Sequence, residues 1–570
     1  MWKLINILSN NKDDYNCAPP SIKMENGIIV KEPHLICKVF NDFFSNIGTQ
    51  LADQIPQKYH NNDTYTMPIL QSSTEHHTLS KFPPCTTTEI SRIIDDLDPN
   101  TSTGIDGMST KALKCIKDLI IYNLTDCLNK LLSEGIFPDI LKIAKVTPIY
   151  KSGTKSDPGN YRPISVLPVL SKVLEKVIYK RLDDYLTKIC FLFSHQYGFR
   201  HKSNTLSAAI DLTTLIQKNI DQKQIALGIF IDYKKAFDTV SHSLLLKKLR
   251  HIGITGSAIK MLTSYLSDRY QIVKIGDYQS QPNRLTCGVP QGSILGPLLF
   301  LIYVNNIHQV GLKGQLSLYA DDTCLFYFGS NILEVTQLAQ NDLNTLHRWS
   351  QFNLLTINSS KTSYMIFKAK NKKLVNHPQL NINGNLIRQV NKEKYLGLML
   401  DNNLSWKEHI QHIRKKLSSL VGSLRNIVGC LPKQVRTLIY NSLVKPHLLY
   451  LIEIWGCASK TNLKPIQILQ NKIIKLLYNY DYLTPSKTIY KETRLLNIKQ
   501  MHVYNTCILV YKIIHKLTHS HITFTTKGNS LKYASRRANH LVLPCPRTNY
   551  GKTALSYVGA QLYNRLPNNV

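Results

Sequence analysis

The chemistry of this chain centres on two adjacent aspartates, Asp321 and Asp322, between the apolar runs 316–320 and 323–328. Two strand-length runs separated by two residues predict a β-hairpin with both carboxylates at its tip. Adjacent carboxylates beside apolar strands repel each other and lose hydration, and a divalent cation removes both costs. The other Asp-Asp pairs, at 13–14, 95–96 and 183–184, are expected to be ordinary solvated surface. The sequence therefore predicts a metal-binding hairpin at 321–322.

A third acid, Asp232, follows the apolar run 225–231, which predicts a buried strand. The next residues, 233–238, have a helical pattern, and we expect Asp238 to cap or pair locally. If the strands before Asp232 and around Asp322 are neighbours in one sheet, the three carboxylates converge at one edge. Three such carboxylates suit two Mg²⁺ ions, with Mn²⁺ as an alternative. Two ions roughly 4 Å apart support in-line phosphoryl displacement, so the pattern indicates nucleotidyl transfer.

Two loops contain candidate substrate contacts. The segment 288–297 is rich in small residues that allow a backbone to approach a flat ligand, and its Gln291 both donates and accepts hydrogen bonds. The competing interpretation is an ordinary strand-to-helix connector. The segment 150–163 resembles a long hairpin loop, in which Lys151, Lys155 and Arg162 could hold a triphosphate or could be solvated surface charges. Arg200 is a further candidate for phosphate contact.

The charge balance indicates a polyanionic partner. Lys and Arg number 70 against 37 Asp and Glu, a net charge of +33 with a pI near 9.6. Residues 406–570 contain 25 Lys and Arg against four acids, so they contribute +21 of that excess. No run approaches the roughly 18 apolar residues of a membrane span, which favours nucleic acid over a membrane. The twelve Cys have no CxxC spacing, so we expect reduced thiols in an intracellular protein.

The composition and periodicity predict a globular α/β or α+β body. The length of 570 residues implies roughly three to five domains, and a composition of 43% hydrophobic residues provides for a large buried core. Residues 1–88 are expected to form a loosely organised extension with a helix at 35–52, and two amphipathic helices are expected within 88–132. Strand-like runs at 144–150 and 225–231 alternate with helical patterns at 170–186 and 206–220. Apolar spacing after Trp406 predicts a basic helical module.

Six motifs occur in one order along about 240 residues. They are Tyr161-Arg-Pro-Ile-Ser165, Gln196-Tyr-Gly-Phe-Arg200, Phe230-Ile-Asp-Tyr-Lys-Lys-Ala-Phe-Asp238, Gly288-Val-Pro-Gln-Gly-Ser-Ile-Leu-Gly-Pro297, Tyr319-Ala-Asp-Asp322 and Tyr395-Leu-Gly397. This set resembles the reverse transcriptases of non-LTR retrotransposons, with the jockey-like LINE group as the nearest likeness. The resemblance is strong over residues 143–400 and fainter through the basic C-terminal third.

The resemblance implies an α+β right-hand polymerase with fingers, a palm containing an antiparallel sheet, and a helical thumb. The expected divisions are an N-terminal extension at 1–88, fingers and palm at 89–400, a thumb at 401–500, and a basic C-terminal region at 501–570 that is expected to be truncated. By position, Asp232, Asp321 and Asp322 would hold the metals.

The remaining roles that the resemblance implies concern substrates. Phe237 would be an aromatic gate that clashes with a 2′-hydroxyl, although core packing explains it too. Gln291 and Gly292 would border the nascent base pair, and Arg162 would hold the triphosphate. Lys361 resembles a lysine that protonates departing pyrophosphate, and a plain surface lysine is the alternative. The turn Tyr395-Leu396-Gly397 would grip the primer end.

The resemblance further implies an RNA template, a DNA primer and dNTPs as partners, with no membrane. Relatives usually have an endonuclease ahead of the polymerase, and fewer than about 140 residues precede the first motif here, so we expect none in this chain. An RNase H domain is not expected, because the last 165 residues hold four scattered acids. A catalytically inert nucleic-acid-binding remnant is the second hypothesis, and an intron-encoded maturase is a third. The expected location is the nucleus, at the site of integration, with the cytoplasm as alternative.

Overall fold

The computed structural model describes residues 19, 21–24, 26–59, 77–372, 379–425, 428, 431–530 and 539–567. Asp13 and Asp14 lie outside these residues, as does part of the expected extension 1–88. The mixture of helices and mainly antiparallel sheets is α+β, as expected.

The strands among the described residues are short to medium in length. In chain order they are β1 Ile22–Lys23, β2 Ile29–Val30, β3 Ile143–Tyr150, β4 Tyr161–Val166, β5 Ile225–Ile231, β6 Arg269–Ile275, β7 Tyr278–Gln279, β8 Asn283–Leu285, β9 Gln315–Tyr319, β10 Asp322–Gly329, β11 Ser363–Phe367, β12 Asn381–Ile382, β13 Asn385–Leu386, β14 Arg388–Gln389, β15 Lys392–Tyr395 and β16 Leu398–Asp401.

The helices cluster between the strands and after residue 406. In chain order they are α1 Pro33–Asp53, α2 Thr87–Asp95, α3 Thr110–Glu134, α4 Val169–Lys188, α5 Thr205–Asp221, α6 His242–His251, α7 Gly256–Leu266, α8 Leu295–Val304, α9 Ile332–Phe352, α10 Lys407–Arg425, α11 Lys433–Ile439, α12 Lys445–Leu449, α13 Ile452–Trp455, α14 Lys460–Tyr478, α15 Ser486–Thr493, α16 Ile498–Ile514, α17 Lys527–Ser530, α18 Asn549–Thr553 and α19 Leu555–Tyr563. None of the helices in the described part of the chain is long and apolar enough to cross a membrane.

The central sheet has the strand order β14-β11-β5-β10-β9, with β5 in the middle. Every residue of β5 is buried because the sheet is covered on both faces, by one large apolar core on one side and a second on the other. Gly228 faces Phe326 across the β5–β10 pair, and a Cβ on Gly228 would lie 2.4 Å from that ring. The small residue therefore makes room for an aromatic one on the neighbouring strand, and the two strands stay in close register.

A second sheet is formed by β4, β3, β6 and β7, with β8 also paired to β6. Helix α1 packs on it: Phe40 is fully buried with its ring 4.8 Å from that of Tyr161, and Asn41 bonds to Gln271 and to the carbonyl of Gln281. The expectation of a loosely organised segment is therefore wrong for residues 33–53. Their apolar face is buried on the sheet, and sequence periodicity does not reveal the surface that covers it.

The residues after β16 form mostly helices, as predicted, and share a core with the central sheet. Buried side chains of α10, α14 and α16 belong to the same apolar cluster as Phe230 of β5 and Phe326 of β10. Between α11 and α12 a turn of π-helix, Tyr440–Val444, interrupts the α-helical geometry. Near the end of the described chain, α18 and α19 return to pack against α5. The C-terminal helices thus support one face of the sheet that holds the acidic hairpin.

Candidate active site

The predicted acidic hairpin is present. Strands β9 and β10 pair antiparallel with Tyr319 opposite Asp322, so Ala320 and Asp321 form a two-residue connection. Ala320 has a left-handed backbone with φ of 56°, as the first central residue of a type II′ turn requires. The turn projects Asp321 and Asp322 from the edge of the sheet.

Asp232 lies at the same edge, because β5 pairs with β10. Ile231 is opposite Thr323, so one further step of the register sets Asp232 beside Asp322. The two strands are therefore neighbours in one sheet, which is the condition under which the carboxylates were expected to converge. Two hydrogen bonds hold Asp232 in place. Its Oδ2 accepts from the Asn358 side chain at 3.0 Å, and its backbone N–H donates to the Thr362 hydroxyl at 3.3 Å.

The carboxylates of Asp232, Asp321 and Asp322 lie close enough at this edge to repel one another. Burial, followed by the charges of Asp321 and Asp232, raises the pKa of Asp322 to about 6. Burial and Asp232 also raise the pKa of Asp321, while Lys151 and Arg162 act in the opposite direction on both residues. The positive charges of Lys151 and Arg162, both candidates from the sequence, therefore act on Asp321 and Asp322.

The carboxylates do not form a closed metal cage. In the described part of the chain, no group of three or more His, Cys, Asp or Glu side chains has the arrangement of a metal site built from protein ligands. Mg²⁺ does not require such a cage, since it retains water and binds one or two carboxylates together with substrate phosphates. Mutually repelling carboxylates with raised pKa values are a donor set that a divalent cation would stabilise, so the residues present fit that ion.

The segment after Asp232 differs from the prediction. Residues 233–238 form turns rather than a helix, because Lys235 has φ of 50° and Tyr233 bridges to Ile357. A left-handed residue cannot continue a right-handed helix. The Lys235 ammonium donates to the carbonyls of Gly159 and Tyr161, both at 3.1 Å. Lys235 thereby connects the loop that contains Lys151 and Lys155 to the turns that follow Asp232.

The loop 150–163 is the predicted hairpin, with Tyr150 paired to Tyr161. Arg162 lies in β4 and is exposed, as are Lys151 and Lys155. Lys361 is exposed beside Asn358, and its charge helps to lower the pKa of Lys235, after the larger effect of burial. Arg200 has internal partners: its Nη1 donates to the carbonyl of Phe193 at 2.7 Å.

The predicted loop at 288–297 lies against the turns after Asp232. The Gln291 side-chain amide donates to Oδ1 of Asp238 at 2.8 Å, and the Gln291 backbone carbonyl accepts from the backbone N–H of Ser165 at 2.8 Å. Asp238 is therefore locally paired, as expected, and burial raises its pKa to about 6. Gly292 has φ of +135°, and a Cβ there would lie 2.2 Å from the Ser165 carbonyl oxygen. Only glycine lets β4 and this loop approach so closely.

Phe237 and the turn at 395–397 are the remaining site features that the sequence predicted. Phe237 stacks on Phe300 with ring centroids 4.3 Å apart, and it is partly buried. The turn at 395–397 is a hairpin between β15 and β16 in which Leu396 and Gly397 both have positive φ, at 45° and 83°. These values are those of a type I′ turn. The Tyr450 hydroxyl donates to the Leu396 carbonyl, so the residue that follows α12 holds this turn.

Sequence reasoning missed three polar residues of the site: Lys235, Asn358 and Gln196. Asn358 and Asp232 are 126 positions apart, and no spacing pattern connects residues so distant. Signals existed for the other two, because Gln196 opens the motif 196–200 and Lys235 lies in the motif 230–238. Neither motif reveals the contacts: the Lys235 ammonium binds backbone carbonyls near the start of another strand.

Comparison with known proteins gives a consistent result. Residues 149–400 match the family model described as reverse transcriptase (RNA-dependent DNA polymerase). The chain is 32% identical over 423 residues to the probable RNA-directed DNA polymerase from transposon BS of Drosophila melanogaster, covering 72% of this chain and 46% of that protein. It is 29% identical over 400 residues to the RNA-directed DNA polymerase from mobile element jockey of the same species, covering 68% of this chain and 43% of that protein. The chain thus spans about half the length of the curated relatives it matches.

Proposed function

We propose that this chain is an RNA-directed DNA polymerase of a jockey-like non-LTR retrotransposon, because residues 149–400 match the reverse transcriptase family model and the chain is similar to the polymerases of transposon BS and mobile element jockey. The observation that carries the proposal is the position of Asp232 beside the Asp321-Asp322 hairpin, on adjacent strands of the matched domain. The reaction joins the 3′-hydroxyl of a DNA primer to the α-phosphate of a dNTP selected by an RNA template. Pyrophosphate leaves as the new phosphodiester forms.

A right-hand layout accounts for the architecture. In this proposal the central sheet is the palm, the second sheet and its loop 150–163 are the fingers, and the helices from α10 onward begin the thumb. The division into fingers and palm at 89–400, thumb at 401–500 and C-terminal region at 501–570 is part of the proposal. The charge of +21 over residues 406–570 supports a template-binding surface there, since phosphate contacts need positive charge and no base readout.

The carboxylates Asp232, Asp321 and Asp322 would hold Mg²⁺. The bound ions would supply a more acidic primer hydroxyl and charge stabilisation for the leaving group. The chain's own residues do the positioning: Asn358 holds the Asp232 carboxylate, and the hairpin turn holds the other two.

Substrate contacts follow from the charges that face the carboxylates. We assign Lys151 and Arg162 to the dNTP triphosphate, because both lower the pKa values of Asp321 and Asp322 and both are exposed. Lys235 keeps their loop near the palm. In this proposal Lys361 gives a proton to departing pyrophosphate, and the turn Tyr395-Leu396-Gly397 supports the primer end.

Phe237 is proposed to select deoxynucleotides through a clash between its ring and a 2′-hydroxyl. Phe237→Ala is expected to raise the ratio of ribonucleotide to deoxynucleotide incorporation by about 10- to 100-fold, because removal of the ring opens space at the sugar. The measurement is kcat/KM for rNTP and dNTP on the same primer-template. Phe44→Ala, which removes a ring from the Phe40–Phe44 pair of α1, is the control for lost aromatic packing. If the ratio of ribonucleotide to deoxynucleotide incorporation is unchanged in Phe237→Ala, Phe237 has only a packing role.

The function itself is tested by primer extension on a poly(rA)/oligo(dT) duplex with purified protein and Mg²⁺. Synthesis of oligo(dT) extension products supports the polymerase. Binding of the duplex without synthesis would instead support an inert nucleic-acid-binding protein. On the proposed function, the chain would act in the nucleus, where chromosomal DNA provides the primer.

A further inference from the structure

The motif Gln196 to Arg200 runs beside the acidic hairpin, and the proposed function gives it no role. Its backbone adds a short parallel stretch to the edge strand β9: the N–H of Tyr197 donates to the Leu318 carbonyl, and the N–H of Leu318 donates to the His195 carbonyl, both at 2.9 Å. A Cβ on Gly198 would lie 2.4 Å from the backbone nitrogen of Ala320. The motif and the hairpin turn are therefore in direct contact.

The Gln196 side chain connects the motif 196–200 to the hairpin turn. It is 2% exposed, and its Oε1 accepts hydrogen bonds from the backbone N–H groups of Gly198 at 2.9 Å and Ala320 at 3.0 Å. A buried N–H without an acceptor costs about 1–3 kcal/mol, so both amides depend on this one oxygen. The Ala320 amide belongs to the residue immediately before Asp321.

Ala320 needs such support because of its backbone. Its φ of 56° is left-handed, and this position of a type II′ turn is usually glycine. A left-handed alanine is less stable than a right-handed one by about 1–2 kcal/mol. Such a backbone conformation persists only where contacts from neighbouring residues hold it. The hydrogen bond to the Gln196 oxygen is one such contact, and it fixes the orientation of the Ala320 peptide.

The motif is itself held from outside by the C-terminal region. Asp211 accepts hydrogen bonds from the Tyr197 hydroxyl at 2.8 Å, from the Ser520 hydroxyl at 2.5 Å and from the His521 backbone N–H at 2.9 Å. The rings of His195 and His521 stack with centroids 3.8 Å apart. Gln196 is thus anchored in a rigid setting rather than in a free loop.

We propose that Gln196 is a positioning residue for catalysis: by accepting the Ala320 N–H it sets the direction in which Asp321 and Asp322 leave the hairpin. Its effect on rate rests on the proposed polymerase function, while its effect on the turn does not. Gln196 touches the peptide that holds the carboxylates, and the proposal requires no contact with substrate.

The test compares Gln196→Met, which has similar length and no strong acceptor, with Gln196→Glu, which keeps an oxygen at the same reach. Amide hydrogen exchange is measured by mass spectrometry on peptides that contain Ala320. We expect exchange at Ala320 to rise at least about tenfold in Gln196→Met and to stay near the parent value in Gln196→Glu. Equal protection in Gln196→Met and the parent would overturn the proposal.

A second measurement addresses catalysis. Gln196→Met is expected to lower the single-turnover rate of nucleotide addition at saturating dNTP by at least about 30-fold, because misplacement of a reacting group by about 1 Å costs on this scale. The Kd for the duplex should change by less than about twofold, since no binding contact is removed. Gln271→Met is the matched control, because Gln271 is a buried glutamine of the second sheet that bonds to Asn41.

The outcomes separate the two proposals. A rate loss in Gln196→Met with faster Ala320 exchange, beside a normal rate in Gln271→Met, supports the positioning role. A rate loss without faster exchange, or faster exchange with a normal rate, contradicts it. If the parent protein itself adds no nucleotide, the proposed function fails, and the exchange measurement alone then decides whether Gln196 holds the turn.

Discussion

Replacing Asp321 and Asp322 together by asparagine is expected to abolish primer extension, with a rate loss of at least about a thousandfold. Asparagine keeps the size of each side chain but removes the negative charge that a divalent cation needs. Both residues lie at the turn between β9 and β10, where they face Asp232. The measurement is the initial rate of dTTP incorporation on poly(rA)/oligo(dT) at saturating Mg²⁺.

The same variant should fold at least as well as the parent. Because the pKa of Asp322 is raised to about 6 in the folded protein, its ionisation opposes folding, and that penalty grows as pH rises through about 4 to 6. At pH 7 the asparagines remove this repulsion, so we expect an equal or higher melting temperature and unchanged duplex binding. A variant that loses synthesis together with its fold would not support the metal assignment.

The matched control is Asp95→Asn with Asp96→Asn. It removes the same two charges from an exposed adjacent pair at the end of α2, where Asp95 pairs with Lys117 at 2.9 Å. Exposed ion pairs contribute about 0–1 kcal/mol, so this variant should extend the primer at the parent rate. Retained synthesis in the Asp321, Asp322 variant would rule out both residues as essential metal ligands.

Gly292→Ala is expected to destabilise the fold and remove activity. The new Cβ would lie 2.2 Å from the Ser165 carbonyl oxygen, at a backbone φ of +135° that side chains rarely adopt. The clash and the backbone strain together should lower the free energy of unfolding by at least about 3 kcal/mol. The loop must move away from β4 to relieve them, which displaces Gln291 from Asp238 and from the site.

The control for backbone strain alone is Gly276→Ala. Gly276 also has positive φ, at +61°, but a Cβ there would meet nothing within 4 Å. We expect a loss of about 1 kcal/mol and normal synthesis. The measurement is the midpoint of urea denaturation, compared at equal slope, together with primer extension. Equal midpoints for the two variants would show that the approach of the loop to β4 does not depend on glycine.

Local patterns predicted much of the positioning scaffold. The hairpin around Asp321 and the strand before Asp232 were readable because each is a short apolar run with turn residues at its end. The helices at 33–53, 87–95 and 110–134 correspond to the helix predicted at 35–52 and the two predicted within 88–132. These features depend on neighbours within about ten positions.

Other features were outside the reach of local patterns. The segment 233–238 has a helical pattern, yet Lys235 is left-handed because its ammonium binds carbonyls of β4 and the preceding loop. Helix α1 was expected in a loose extension, yet it packs on the second sheet. At Lys235 a tertiary contact outweighs the local helical preference, which is worth less than about 1 kcal/mol per residue. In α1 the helical preference is kept, and only the sheet that covers its apolar face could not be predicted from local patterns.

The sequence by itself determined the hairpin that presents Asp321 and Asp322 and the net positive charge that suits nucleic acid, and it singled out the carboxylates that we propose carry the chemistry. Only the tertiary structure decided that Asp232 stands beside Asp322, that Asn358 holds it, and that Gln196 accepts the Ala320 amide. The physical reason is distance along the chain: Gln196 and Ala320 are 124 positions apart. Their hydrogen bond exists because two sheets and their helices pack in one way, and that packing is a property of the whole chain.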